Sequence, residues 1–94
     1  MPDFYAILSL YRMRAEADVT GALVAERADV SSDALDQVSR TFLTVRERDG
    51  WKELSQEARA ARLRLGYQRF RRWEATNPDI AALLRRKARA AALG

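Results

Sequence analysis

Residues 54–74 read LSQEARAARLRLGYQRFRRWE, and the fold turns on whether they form one straight helix or two short ones. Along a straight helix, Trp51, Leu54, Ala58, Ala61 and Leu65 make one apolar stripe, and Leu63, Tyr67 and Phe70 make a second, rotated about the axis. Gly66 would cost such a rod only ~1 kcal/mol relative to alanine. If the chain instead bends about Arg64 and Gly66, Ser55 caps a short support helix with Gln56 and Glu57 in its first turn. Ala60, Leu63, Leu65, Phe70 and Trp73 then become the buried set, and the small Ala60 lets a second helix cross closely. Tyr67, Gln68, Arg69, Arg71 and Arg72 are left on the outside of that second helix. The bent reading accounts for the long polar side chains crowded between Leu65, Phe70 and Trp73. The straight reading stays open.

Working outward, the punctuation is clear on both sides. Leu35, Val38, Phe42 and Val45 step by three, four and three residues, and predict a helix over roughly 32–48. Ser31 and Ser32 offer a cap, Asp33 and Asp36 suit its positive end, and Arg46 and Arg48 suit its negative end. Asp33 and Asp36 would also serve as a catalytic pair on paper, but first-turn acids answer to the helix dipole. Asp49-Gly50 supplies the left-handed residue that stops the helix. Downstream, Asn77-Pro78 ends one helix and opens another, which turns Ile80, Leu83, Leu84 and Ala88 inward. At the other end, Phe4, Ile7, Leu8 and Tyr11 mark one helical face that Pro2 could open, with Asp18 capping a short second helix around Val19, Leu23 and Val24. A β-hairpin spanning residues 5–28 is the alternative there. The expected fold is all-α: a single domain over residues 1–94, a small bundle of five or six short helices with a C-terminal helix-turn-helix.

Composition narrows the chemistry. The 94 residues contain no cysteine and no histidine, which removes disulfides, thiolate nucleophiles and the commonest general base and metal ligand. Neither a metal site, a cofactor nor an enzyme is expected. No apolar run approaches the ~20 residues that span a bilayer. The opening MPDFYAILSL carries an acid where a signal peptide has a basic region, so a cytoplasmic protein is expected. Charge is divided along the chain. Residues 1–50 hold six arginines against nine acids, a net of −3, whereas residues 51–94 hold nine arginines and two lysines against four acids, a net of +7. A basic half suggests a polyanion, and an acidic half suggests a homo-oligomer contact, a protein partner or plain solubility.

The pattern LSQEARAARLRL, followed by Phe70 and Trp73-Glu74, resembles the Xre/Cro-type helix-turn-helix of phage and bacterial repressors. That family has a leucine before a Ser-Gln-Glu start, a small residue in the support helix and a Trp-Glu pair closing the recognition helix. Here Arg64 stands where the family's turn has glycine, and Gly66 follows two residues later. RFRRWEATNPDIAALLRRKARA is also similar to the recognition helix and following helix of phage small-terminase and transposase-like domains. Together the resemblances cover residues 42–92 and imply a small regulator or a phage-type DNA-recognition subunit acting on duplex DNA. Its DNA-binding residues would be Arg64, Tyr67, Gln68, Arg69, Arg71 and Arg72, joined by Arg85, Arg86 and Lys87 of the last helix. Arginine can bind guanine bidentately and glutamine adenine, while surrounding cations grip phosphate. Two rivals fit the same charges: a helical protein-interaction module, and a small subunit of a nucleoprotein complex that holds backbone without reading sequence.

Overall fold

The computed structural model of the chain describes residues 3–20 and 32–94. Every regular element among them is helical, as the sparse proline and glycine suggest. The α-helices are α1 (Phe4–Thr20), α2 (Ser32–Thr41), α3 (Val45–Arg48), α4 (Gln56–Thr76) and α5 (Pro78–Leu93), with a 3₁₀ turn at Trp51–Glu53 ahead of α4.

The N-terminal segment takes the helical alternative. Asp3 caps it, its Oδ1 accepting the backbone N–H of Tyr5 at 3.0 Å and of Ala6 at 3.4 Å. Asp18 lies within α1 rather than ahead of a second helix, so neither the cap expected of it nor a hairpin beginning at residue 5 is formed. The segment around Leu23 and Val24, and the capping role of Ser31, lie outside the described residues, whereas Ser32 is the first residue of α2. The helix expected over 32–48 is divided in two. Thr44 interrupts it by forming a reciprocal cap: its hydroxyl accepts the Glu47 N–H at 3.1 Å, and the Glu47 carboxylate accepts the Thr44 N–H at 2.8 Å. This Thr-x-x-Glu box satisfies two end donors at once and starts α3 afresh. Gly50 then adopts φ 66°, the left-handed conformation expected of Asp49-Gly50.

Residues 56–76 form one unbroken helix, so the chain does not turn at Arg64–Gly66 and the bent reading of this stretch gives way to the straight one. Ser55 does cap this helix, accepting the Ala58 N–H at 3.1 Å. Ala60 and Leu65, which the bent reading buries, are exposed, and so is Ala61 of the straight-rod stripe. The stretch is rich in alanine, leucine, arginine, glutamine and glutamate, all strong helix formers, and Gly66 serves a different purpose from a turn. A Cβ at Gly66 would lie 2.0 Å from the Ser39 carbonyl oxygen and 2.7 Å from its carbon. The glycine is where α4 and α2 cross with their backbones nearly touching. The helix runs on to Asn77, where Pro78 disfavours helical conformation in the residue before it. The Asn77 side chain turns back to the Trp73 carbonyl at 3.0 Å instead of capping α5.

α4 packs chiefly on α2, and α5 chiefly on α1; α4 and α5 touch little beyond their junction. Phe70, Ile7, Leu10 and Val38 are fully buried at the centre. The Phe70 ring lies 5.7–6.4 Å from those of Phe42, Tyr67, Tyr11 and Trp73, within the range where aromatic pairs add attraction beyond area burial. On α5 the inward positions include Ala81 and Ala88, small enough to bring α1 close. Tyr11 stands against Arg85 and, one turn further along each helix, Arg14 and Arg89 share a cleft, so α1 and α5 run in the same direction.

Candidate nucleic-acid interface

Straightening α4 sorts the expected DNA-binding residues into two groups. Arg64, Gln68 and Arg72 recur every four residues and Arg71 lies seven after Arg64, so all four share the outer side of the helix. Each is exposed. Arg64 and Arg72 have no acidic partner among the described residues, and Arg71 meets Glu74 at 3.5 Å with most of its side chain in water. Arg86 and Lys87 of α5 are likewise exposed, with no acidic partner among the described residues. Arg69, Tyr67 and Arg85 point elsewhere.

Arg69 is committed to α3. Its guanidinium takes Glu47 bidentately, at 2.6 and 3.0 Å, and also donates to the Phe42 carbonyl at 3.1 Å. Arg62 donates to the Glu47 carbonyl from one side of the same contact. These bonds hold the short α3 onto α4, where its four residues could not persist alone. The Arg69 hydrogen bonds, followed by the Thr44 N–H, hold the Glu47 carboxyl at about 2, below its usual 4.5. The same contact raises the Arg69 guanidinium above its usual range. Ionised Glu47 therefore favours the folded chain at pH values above its ordinary carboxyl value. That contribution drains away as pH falls from 4.5 towards about 2. In thermal melts, Glu47→Gln should cost stability near neutral pH, with the gap to the parent chain closing across this acid window. A gap that stays constant with pH would show that the pair carries no such linkage.

Tyr67 is half-buried with its ring 6.0 Å from Phe70, so it belongs to the aromatic cluster. It also lines a mainly apolar cleft of about 440 Å³ between α2 and α4, with Leu35, Ser39, Leu63, Arg64 and Gln68. Arg85 reaches inward to Glu74 at 2.5 Å and sits over the Tyr11 ring, 5.2 Å from its centroid. Glu74 is buried, and the Tyr11 hydroxyl donates to it at 2.5 Å. Burial, then the Glu74 carboxylate, push the Tyr11 hydroxyl well above the usual tyrosine range. This network joins α1, α4 and α5, and no buried side-chain polar atom among the described residues is left unpaired.

Sequence reasoning did not single out Glu47 and Glu74 as the acids that draw Arg69 and Arg85 inward. The Thr44-x-x-Glu47 spacing was the available signal for the first; the second had none. No group of three or more potential metal-ligating residues is assembled among the described residues, and no helix among them is long and apolar enough to cross a membrane. Comparison with protein-family models, curated proteins and solved structures finds no match to this chain.

Proposed function

We propose that this protein holds the sugar–phosphate backbone of duplex DNA against the outer sides of α4 and α5, without reading base sequence. It would act as a small helical component of a nucleoprotein assembly. The observation that supports this is the row Arg64, Gln68, Arg71 and Arg72 on one exposed side of α4, with Arg86 and Lys87 of α5 also exposed. Phosphate contacts set position and affinity and need only cations at helical spacing. Sequence readout through a short recognition helix is less well supported, because α4 has no bend to present one and Arg69 is held by Glu47.

Titrating a fluorescent duplex of arbitrary sequence at increasing salt tests the proposal. Five phosphate contacts give a slope of about −4.5 in log affinity against log salt. Arg72→Ala should flatten that slope by roughly 1 and weaken all sequences alike, while Gln68→Ala should leave discrimination between sequences unchanged. Absence of binding at low salt, or affinity indifferent to salt, ends the proposal. Loss of sequence discrimination in Gln68→Ala would restore the sequence-reading alternative. The apolar cleft between α2 and α4 favours a second reading, a helical protein-interaction module. On that reading Arg72→Ala, outside the cleft, leaves partner binding unchanged, whereas Gln68→Ala, in its lining, alters it.

A further inference from the structure

A second cluster of cations lies across the boundary between the acidic and basic halves of the chain. Tyr11, Arg14 and Ala15 of α1 and Arg85 and Arg89 of α5 line a cleft of about 280 Å³. Three guanidinium-bearing residues meet there, two of them on successive turns of α5. Like charges at i,i+4 repel, so an anion between Arg85 and Arg89 relieves a cost that the helix otherwise carries. The acid beside them is already engaged. Glu74 Oε2 accepts the Tyr11 hydroxyl and Arg85, each at 2.5 Å, and Oε1 faces Arg71 at 3.5 Å.

Arg14 and Arg89 have no acidic partner among the described residues, Arg14 being half-buried and Arg89 exposed. Arg85 is held in place from below by Glu74 and from the side by the Tyr11 ring. One donor is thus fixed, and two more stand on opposite walls of the cleft. Guanidinium forks match phosphate oxygens bidentately, a fit that a point-charge ammonium lacks.

We propose that this cleft seats one phosphate group of the nucleic-acid backbone, gripped by Arg14 and Arg89 above Arg85. This rests on the backbone-holding reading and extends it, carrying the contact surface past the basic half and onto α1. Arg14, which belongs to the net-acidic half, thereby becomes a binding residue.

The test uses the full chain, the same fluorescent duplex, and Arg14→Gln, Arg89→Gln and Arg46→Gln. Arg46 is an exposed cation on α3 and serves as the charge-matched control. Arg14→Gln and Arg89→Gln should each weaken duplex binding roughly eightfold at 0.1 M salt and flatten the salt slope by about 0.9, the effect of one phosphate contact. Arg46→Gln should change neither. If the cleft variants behave like Arg46→Gln, the phosphate seat is refuted, even with duplex binding intact. A separate arm titrates inorganic phosphate against the arginine Nε–H resonances, with chloride at equal ionic strength as reference. Should the parent chain bind no duplex, the function proposed above falls. Movement of the Arg14 and Arg89 signals by phosphate alone would still support the cleft as a phosphate site, and their failure to move would overturn it.

Discussion

Truncating Glu74 to alanine should lower stability by about 3 kcal/mol, a fall in melting temperature of roughly 15 °C for a domain of this size. The residue is buried at the meeting of α1, α4 and α5. Its loss strands the Tyr11 hydroxyl, on a residue only 4 % exposed, and removes the counter-charge of Arg85 and Arg71. Breaking a buried ion pair costs about 3–5 kcal/mol, and the lower end applies because Arg85 is largely in water and can rehydrate. Tyr11→Phe removes one charge-assisted hydrogen bond and should cost about 2 kcal/mol. Because the two side chains share that bond, the double variant should be milder than the two single losses combined, by about 1 kcal/mol or more. Strict additivity in thermal or denaturant unfolding would show that the bond contributes nothing. The elevated Tyr11 hydroxyl adds a second signature. Tyr11 retains its proton in the folded chain while unfolded tyrosine loses it, so stability falls as pH rises above the ordinary tyrosine range.

Gly66→Ala should also destabilise, by about 2 kcal/mol or roughly 10 °C, and its sign is the informative part. Helix propensity alone predicts the reverse, since alanine within a helix is favoured over glycine by ~1 kcal/mol. Against that gain stands the Ser39 carbonyl, 2.0 Å from where the new Cβ must lie. A backbone carbonyl cannot rotate aside as a side chain would, so α2 and α4 must separate. Overpacking of this kind costs about 1–3 kcal/mol, and the shortness of the approach places it at the upper end. Ala61→Gly, on the exposed side of the same helix, should cost only the ~1 kcal/mol of propensity. Were Gly66→Ala to raise the melting temperature, the close crossing of α2 and α4 would not exist in solution.

The two acids and the glycine also mark where reading the chain residue by residue stops working. Ser55, Gly50 and Asn77-Pro78 announce helix boundaries through bonds and steric contacts with neighbours a few positions away, and each boundary lies where those residues place it. Thr44-x-x-Glu47 was equally local, but the apolar steps from Leu35 to Val45 continued across it and hid the break. The pattern in residues 54–74 was ambiguous for a physical reason. A glycine near the middle of a helical stretch is compatible with a turn or with a close crossing, and only the segment opposite distinguishes them. Here that segment is Ser39.

Composition and short-range pattern were enough to determine most helix ends and a basic C-terminal half, and to favour an all-α fold over the hairpin left open at residues 5–28. They could not determine which arginines remain available to bind. Arg69 and Arg71 look alike in sequence, yet one is fixed by a bidentate carboxylate and the other lies largely in water. Capping and helix propensity act within about one turn of the chain, so they are written into neighbouring residues. The ion pairs and backbone crossing that sort these side chains link distant segments, as with Tyr11 and Glu74, 63 positions apart. Tertiary packing decides those contacts, because burial and charge pairing depend on proximity in space rather than order along the chain.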